Sequence, residues 1–186
     1  MILLKRIYLY IYCMSIPKAL MIILAAVGVF MLLRRKLHSK KAWRCCVGTI
    51  ILLWLTAIVV YTLILRSQAT GSDSLSWLPF HSYFSLLRGA NIEVLRMNFM
   101  NTVLFYPLGL LSSELLPRDW TLKKRLMFAA CFALVFSCSI EIIQFVSRRG
   151  YAEMDDIIHN TAGICLGVLT AGRHAEPAKR EVGCNE

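Results

Sequence analysis

Residues 16–33 and 47–65 form two apolar stretches about as long as a helix needs to cross a bilayer, and this limits the fold before any motif is weighed. A hydrocarbon core of about 30 Å takes roughly 20 helical residues. A third stretch, 126–146, meets that length while carrying Glu141 and Gln144. Two more are interrupted. Stretch 92–116 holds Arg96, Asn98, Asn101, Pro107 and Glu114, and stretch 155–171 is short and holds His159 and Asn160. Their polar side chains have no partner in lipid, so they are expected to be satisfied inside a bundle. The pattern predicts an all-α fold, a polytopic integral membrane helical bundle with about five transmembrane helices.

Composition agrees. Of 186 residues, 58% are apolar and 17% charged, where ordinary globular chains have about 45–50% and 25%. The net charge of +10 could suit nucleic acid, but the basic residues fall between the apolar runs, as membrane proteins place them. Membrane lipids are the expected partner, and nucleic acid is not. A soluble enzyme and a disordered tail-binder are excluded. Seven cysteines with no Cys-x-x-Cys exclude a disulfide scaffold, and cysteine inside apolar runs acts as a small hydrophobe.

The chain divides into an N-terminal segment with two spans (1–65), an external loop with an interfacial aromatic segment (66–91), a core of three spans (92–172) and a polar tail (173–186) expected to be disordered and cytoplasmic. Lys5 and Arg6 before apolar sequence resemble a signal peptide, but no Ala-x-Ala site follows before Arg34, so the first helix is expected to be retained. Five spans put 13 Lys and Arg on one side and 8 on the other. The richer side should be cytoplasmic, with the N-terminus outside and the C-terminus inside. In the loop, 77–87 is aromatic with few charges and should lie at headgroup level.

Three spans carry polar residues at helical spacing. Asn98, Asn101, Phe105, Gly109 and Ser112 share one face; so do Ser137, Glu141, Gln144 and Arg148; so do Asp156, Asn160, Gly163 and Gly167. Gly163-xxx-Gly167 allows close backbone approach, and Pro107 should loosen its helix. Threading puts Asn98 and Asn101, Glu141 and Gln144, and Asp156 and Asn160 at similar depth near the outer surface, with Arg148 and Arg149 just above and Asp155 joining the same polar site. Polar groups on such faces can simply hold helices together. An ionised carboxylate in a span needs a stronger reason, which singles out Glu141 and Asp156. Two carboxylates buried together would share a proton. His159 reads as an interfacial or internally satisfied histidine, and Glu114 as a solvated end residue. The sequence calls for no cofactor and no dedicated metal site, although carboxylates at Glu141, Asp155 and Asp156 could in principle take a divalent ion. No nucleophile motif or phosphate loop occurs, and whether any bond is made or broken is left open.

These same residues resemble the VanZ-like family of bacterial membrane proteins, over about 75–170. The resemblance rests on Leu78-Pro79-Phe80, on Asn101 through Pro107 to Gly109, on Glu141 and Gln144, and on Asp155-Asp156 followed by Asn160, Gly163 and Gly167. Two positions depart from the family pattern: Arg149-Gly150 stands where the family has Gly-Arg, and Glu153 stands for the first acid of Asp-x-x-Asp. The resemblance implies lowered susceptibility to teicoplanin, a glycopeptide with a fatty tail. It suggests a polar cluster of Asn101, Glu141, Gln144, Arg149, Asp155, Asp156 and Asn160 that binds or acts on a lipid-linked envelope precursor or lipoglycopeptide, with Pro107, Gly109, Gly163 and Gly167 serving helix packing. Two other readings stay open: a structural or binding module whose cluster only holds helices together, and a small-solute transporter, which the absence of an internal repeat disfavours.

Overall fold

The computed structural model describes residues 28, 29, 32, 39–64, 75–89, 93–117, 119–148 and 152–173. The expected first span (16–33), Arg149 and the tail from 174 onward therefore fall wholly or largely outside the described residues.

The helices are α1 (Lys40–Val59), which runs into a π-helical turn (Val60–Ile64), α2 (His81–Leu87), α3 (Glu93–Leu115), α4 (Leu122–Ser147) and α5 (Met154–Arg173). Two short strands, β1 (Leu75–Ser76) and β2 (Ala152–Glu153), pair in parallel, with Leu75 opposite Ala152 and Ser76 opposite Glu153. Among the described residues two helical stretches are long and apolar enough to cross a membrane, Lys40–Leu63 and Leu122–Ser147. Helices α3 and α5 match the expected third and fifth spans in position, but their polar residues keep them below that mark.

α3 and α5 form the tightest pair in the fold, and glycine is what allows it. A Cβ on Gly109 would run into the backbone carbonyl of Ile164, and one on Gly167 into that of Tyr106. With no side chain at the crossing, backbone lies on backbone, the geometry expected of small-xxx-small helices. Ser112 and Ser113 on α3 both donate to the Gly109 carbonyl, each at 3.0 Å. α4 packs against α5, α1 against α3, and the π turn against α4. Ile58, Phe105, Leu108, Ala129, Ala133, Ile140, Ile164 and Val168 make the apolar centre. The side of α4 carrying Phe128, Val135, Ile142 and Val146 is exposed, as a lipid-facing stripe would be.

Pro107 sits inside α3 without ending it. Proline offers no N–H to the Val103 carbonyl and crowds that turn. One residue on, the Leu104 carbonyl accepts the Trp54 indole N–H from α1 at 2.9 Å. The loosened turn is thus tied to a neighbouring helix.

At the end of the bundle where α1 and α4 begin, Glu114 is not a merely solvated residue as its position in the sequence suggested. Its carboxylate accepts the Trp43 indole N–H at 3.1 Å, and Arg44 donates to the Leu115 carbonyl at 3.1 Å. Glu114 is within reach because the start of α1 packs beside the end of α3.

Candidate functional site

The other end of the bundle collects the acids. α4 ends there, β2 and α5 begin there, and the 75–89 segment folds over it. Three carboxylates meet three different partners.

Asp155 is 1% exposed. Its two oxygens accept the backbone N–H groups of Phe80 at 2.5 Å and Ser82 at 2.8 Å. Those donors open α2, whose first residue is preceded by Phe80 in the left-handed region (φ 62°) with no side-chain cap of its own. A carboxylate distant in sequence thus supplies the missing cap. The Leu78-Pro79-Phe80 turn presents these amides, with the His81 N–H bonded back to the Leu78 carbonyl at 3.2 Å. Beside it, His159 donates from Nδ1–H to the Asp155 carbonyl at 2.6 Å, and its Nε2 bonds the Tyr83 hydroxyl at 2.8 Å. The two rings stack, so His159 is internally satisfied.

Asp156 lies about 100° round the helix from its neighbour and so turns to α3. The Asn101 carboxamide donates to its carboxylate at 2.6 Å. Glu141, 6% exposed on α4, accepts the Glu153 backbone N–H at 3.0 Å and so fixes β2. One turn deeper, Asn160 donates to the Ser137 hydroxyl at 2.7 Å. Gln144 points to the π turn and donates to the Thr62 carbonyl at 3.0 Å.

The residues singled out from the sequence are thus gathered at one end, but not around one point. Asn101 and Asp156 meet directly. Asp155 turns away from them to the loop, and Gln144 turns to the π turn. Arg148, expected just above the acids, is exposed and ends α4 in the left-handed conformation (φ 52°). Among the described residues no group of three or more His, Cys, Asp or Glu side chains could hold a metal ion. The sequence reading missed the Thr62 carbonyl and the Glu153 N–H, because a backbone acceptor or donor carries no side-chain signature.

Four buried polar atoms lack a hydrogen-bond partner among the described residues: Asn98 Nδ2, Gln144 Oε1, Asn160 Oδ1 and Thr161 Oγ1. Three belong to carboxamides on the polar faces of α3, α4 and α5, the same helices that carry the acids and Asn101.

A family model described as VanZ/LLP1 matches residues 50–173, well over half of the chain. No curated protein and no solved structure matches.

Proposed function

The chain belongs to the VanZ/LLP1 family, and on that premise we propose that it is a cell-membrane protein that binds a lipid-linked or amphiphilic envelope molecule at the acid end of its bundle. That end faces outward, and its occupancy lowers susceptibility to lipoglycopeptides such as teicoplanin. In this reading the acids and the amides divide the work. Asp155, Asp156 and Glu141 are the frame, holding α2, α3 and β2 in place, while Asn98, Gln144 and Asn160 offer polar atoms to the ligand or to ordered water beside it.

The observation that carries the reading is the set of unpartnered carboxamide atoms. A buried polar atom without a partner costs about 1–3 kcal/mol. A network that served only as glue would be expected to close on itself. An unpartnered donor on Asn98 and unpartnered acceptors on Gln144 and Asn160 suit a ligand rich in hydroxyls and amides.

The test is expression in a susceptible Gram-positive host, with teicoplanin compared against vancomycin. Asn98→Leu removes an unpartnered donor while keeping the branching and heavy-atom count of the side chain, so the protein should still accumulate in the membrane. Selective protection against the tailed drug should be lost. Wild-type protection in a normally abundant Asn98→Leu, Gln144→Met double variant would refute the reading. A second reading, a purely structural module, draws on the satisfied carboxylates. It requires protection to fall only in proportion to protein level.

A further inference from the structure

Between α4 and the start of α5 lies a cleft of about 150 Å³, walled by Trp77, Cys138, Glu141, Ile142, Phe145, Ala152 and their neighbours. Three of its wall residues, Ser76, Glu141 and Glu153, are polar, yet no polar atom faces it. The Glu141 carboxylate is turned to the Glu153 amide, and Ser76 and Glu153 are engaged in the strand pair. The polar residues that build this wall therefore leave an apolar lining.

The shape of the cleft narrows the choice of occupant. From Phe145 near the end of α4 to Cys138 is seven residues, about 10 Å along the helix axis at 1.5 Å per residue. Ile142 and Phe145 are exposed and continuous with the apolar stripe of α4 that includes Phe128 and Val135. The cleft thus opens sideways onto the surface a bilayer would cover, and it runs along the direction of a lipid chain. Trp77, the most exposed of its wall residues, stands at the rim, where indoles settle at headgroup level. A volume near 150 Å³ holds about benzene's bulk of hydrocarbon, so the cleft takes a segment of one chain and not two side by side, and its lining offers a sugar or a peptide no hydrogen bond.

From this geometry we infer that the cleft seats the hydrocarbon tail of a single-tailed amphiphile, entering from the bilayer beside α4, with its polar head left at the rim beside Trp77. This rests on the proposed binding of an amphiphilic envelope molecule and names the part of that molecule the cleft selects. The tail supplies residence and the rim meets the head. Glu141 and Glu153 line the cleft without presenting a polar atom to the chain.

The test uses the full chain in lipid nanodiscs with a palmitic acid analogue carrying a diazirine near its end. After illumination, adducts on peptides covering 138–145 and 152–157 should exceed those on 127–135 of the same helix by about tenfold, the ratio for 1.4 kcal/mol of preference. Ile142→Trp, an exposed position that should tolerate bulk, should erase the excess. Leu134→Trp, exposed on α4 but outside the cleft, should not. Even labelling along α4 would overturn the inference, as would an excess that survives Ile142→Trp. The same holds if a diacyl probe labels the cleft as well as the single-chain one. A cleft already covered by residues 16–33 or by a second copy of the chain gives no excess, and that too overturns it. Loss of teicoplanin protection has a separate readout: labelling without protection refutes the functional proposal and leaves the tail seat standing.

Discussion

Asp155→Asn should release α2 from the bundle while leaving the helical core intact. The wild-type carboxylate accepts two backbone N–H groups, one on each oxygen. Asparagine has the same shape but keeps only one acceptor. Its NH2 must face one of the two donors. Ser82 is buried and Phe80 is exposed, so the amide should keep its oxygen on Ser82 and turn its nitrogen to Phe80, where water can repair part of the damage. A hydrogen bond to a charged acceptor contributes about 1.5–3 kcal/mol, and the surviving bond also weakens when the charge is gone. The expected local cost is about 2–3 kcal/mol, or about 30- to 150-fold in the opening equilibrium. Hydrogen exchange of peptides covering 78–89, measured in detergent or nanodiscs, reads that opening directly. Exchange there should accelerate by that factor while 126–140 is unchanged. If the 78–89 amides keep their wild-type protection to within about threefold, or if all helices loosen together, Asp155 is not the cap of α2 and the division of labour among the acids is wrong.

Other perturbations should sort the same way. Gly109→Ala forces a methyl group into the Ile164 carbonyl, and overpacking of this kind costs about 1–3 kcal/mol or more, so thermal unfolding in detergent should move clearly downward. Gly28→Ala, with open space around it, should not shift it. Trp54→Phe keeps an aromatic side chain but drops the bond to Leu104 and part of the indole's packing, and should cost at least about 1 kcal/mol, with the fastest exchange in the turn before Pro107. Glu114→Gln keeps an acceptor for the Trp43 indole and should lose less stability than Glu114→Ala in the same melt.

The helix faces were legible in the sequence because helical spacing is periodic. Ser137, Glu141 and Gln144 are buried together on α4, and Asp156, Asn160, Gly163 and Gly167 together on α5. The glycine crossing was legible for the same reason. What each acid holds was not. Asp155 and Asp156 are adjacent in sequence and chemically alike, so they read as one acidic pair facing a common pocket. Their directions differ by about 100°, which sends one to the loop and the other to Asn101. The ends of α1 and α3 are 71 positions apart at the Trp43–Glu114 contact, and no periodicity reports a meeting of that separation. Nor does the sequence mark the π turn that brings the Thr62 carbonyl to Gln144.

The arrangement of the acids explains why a membrane helix bundle would carry three carboxylates at one end. Two of them bind elements too short to hold themselves in place, a seven-residue helix and a two-residue strand, and the third adds a directed bond to α3. In water such pieces would be kept by burial against a core. At a bilayer surface the apolar face of a helix has lipid as an equally good neighbour, so burial does not select the docked position, whereas a directed bond from a carboxylate to a backbone N–H does. The acid end is then rigid where it is bonded. What that end leaves without a bond is the set of unpartnered carboxamide atoms inside and, at the side, the apolar cleft.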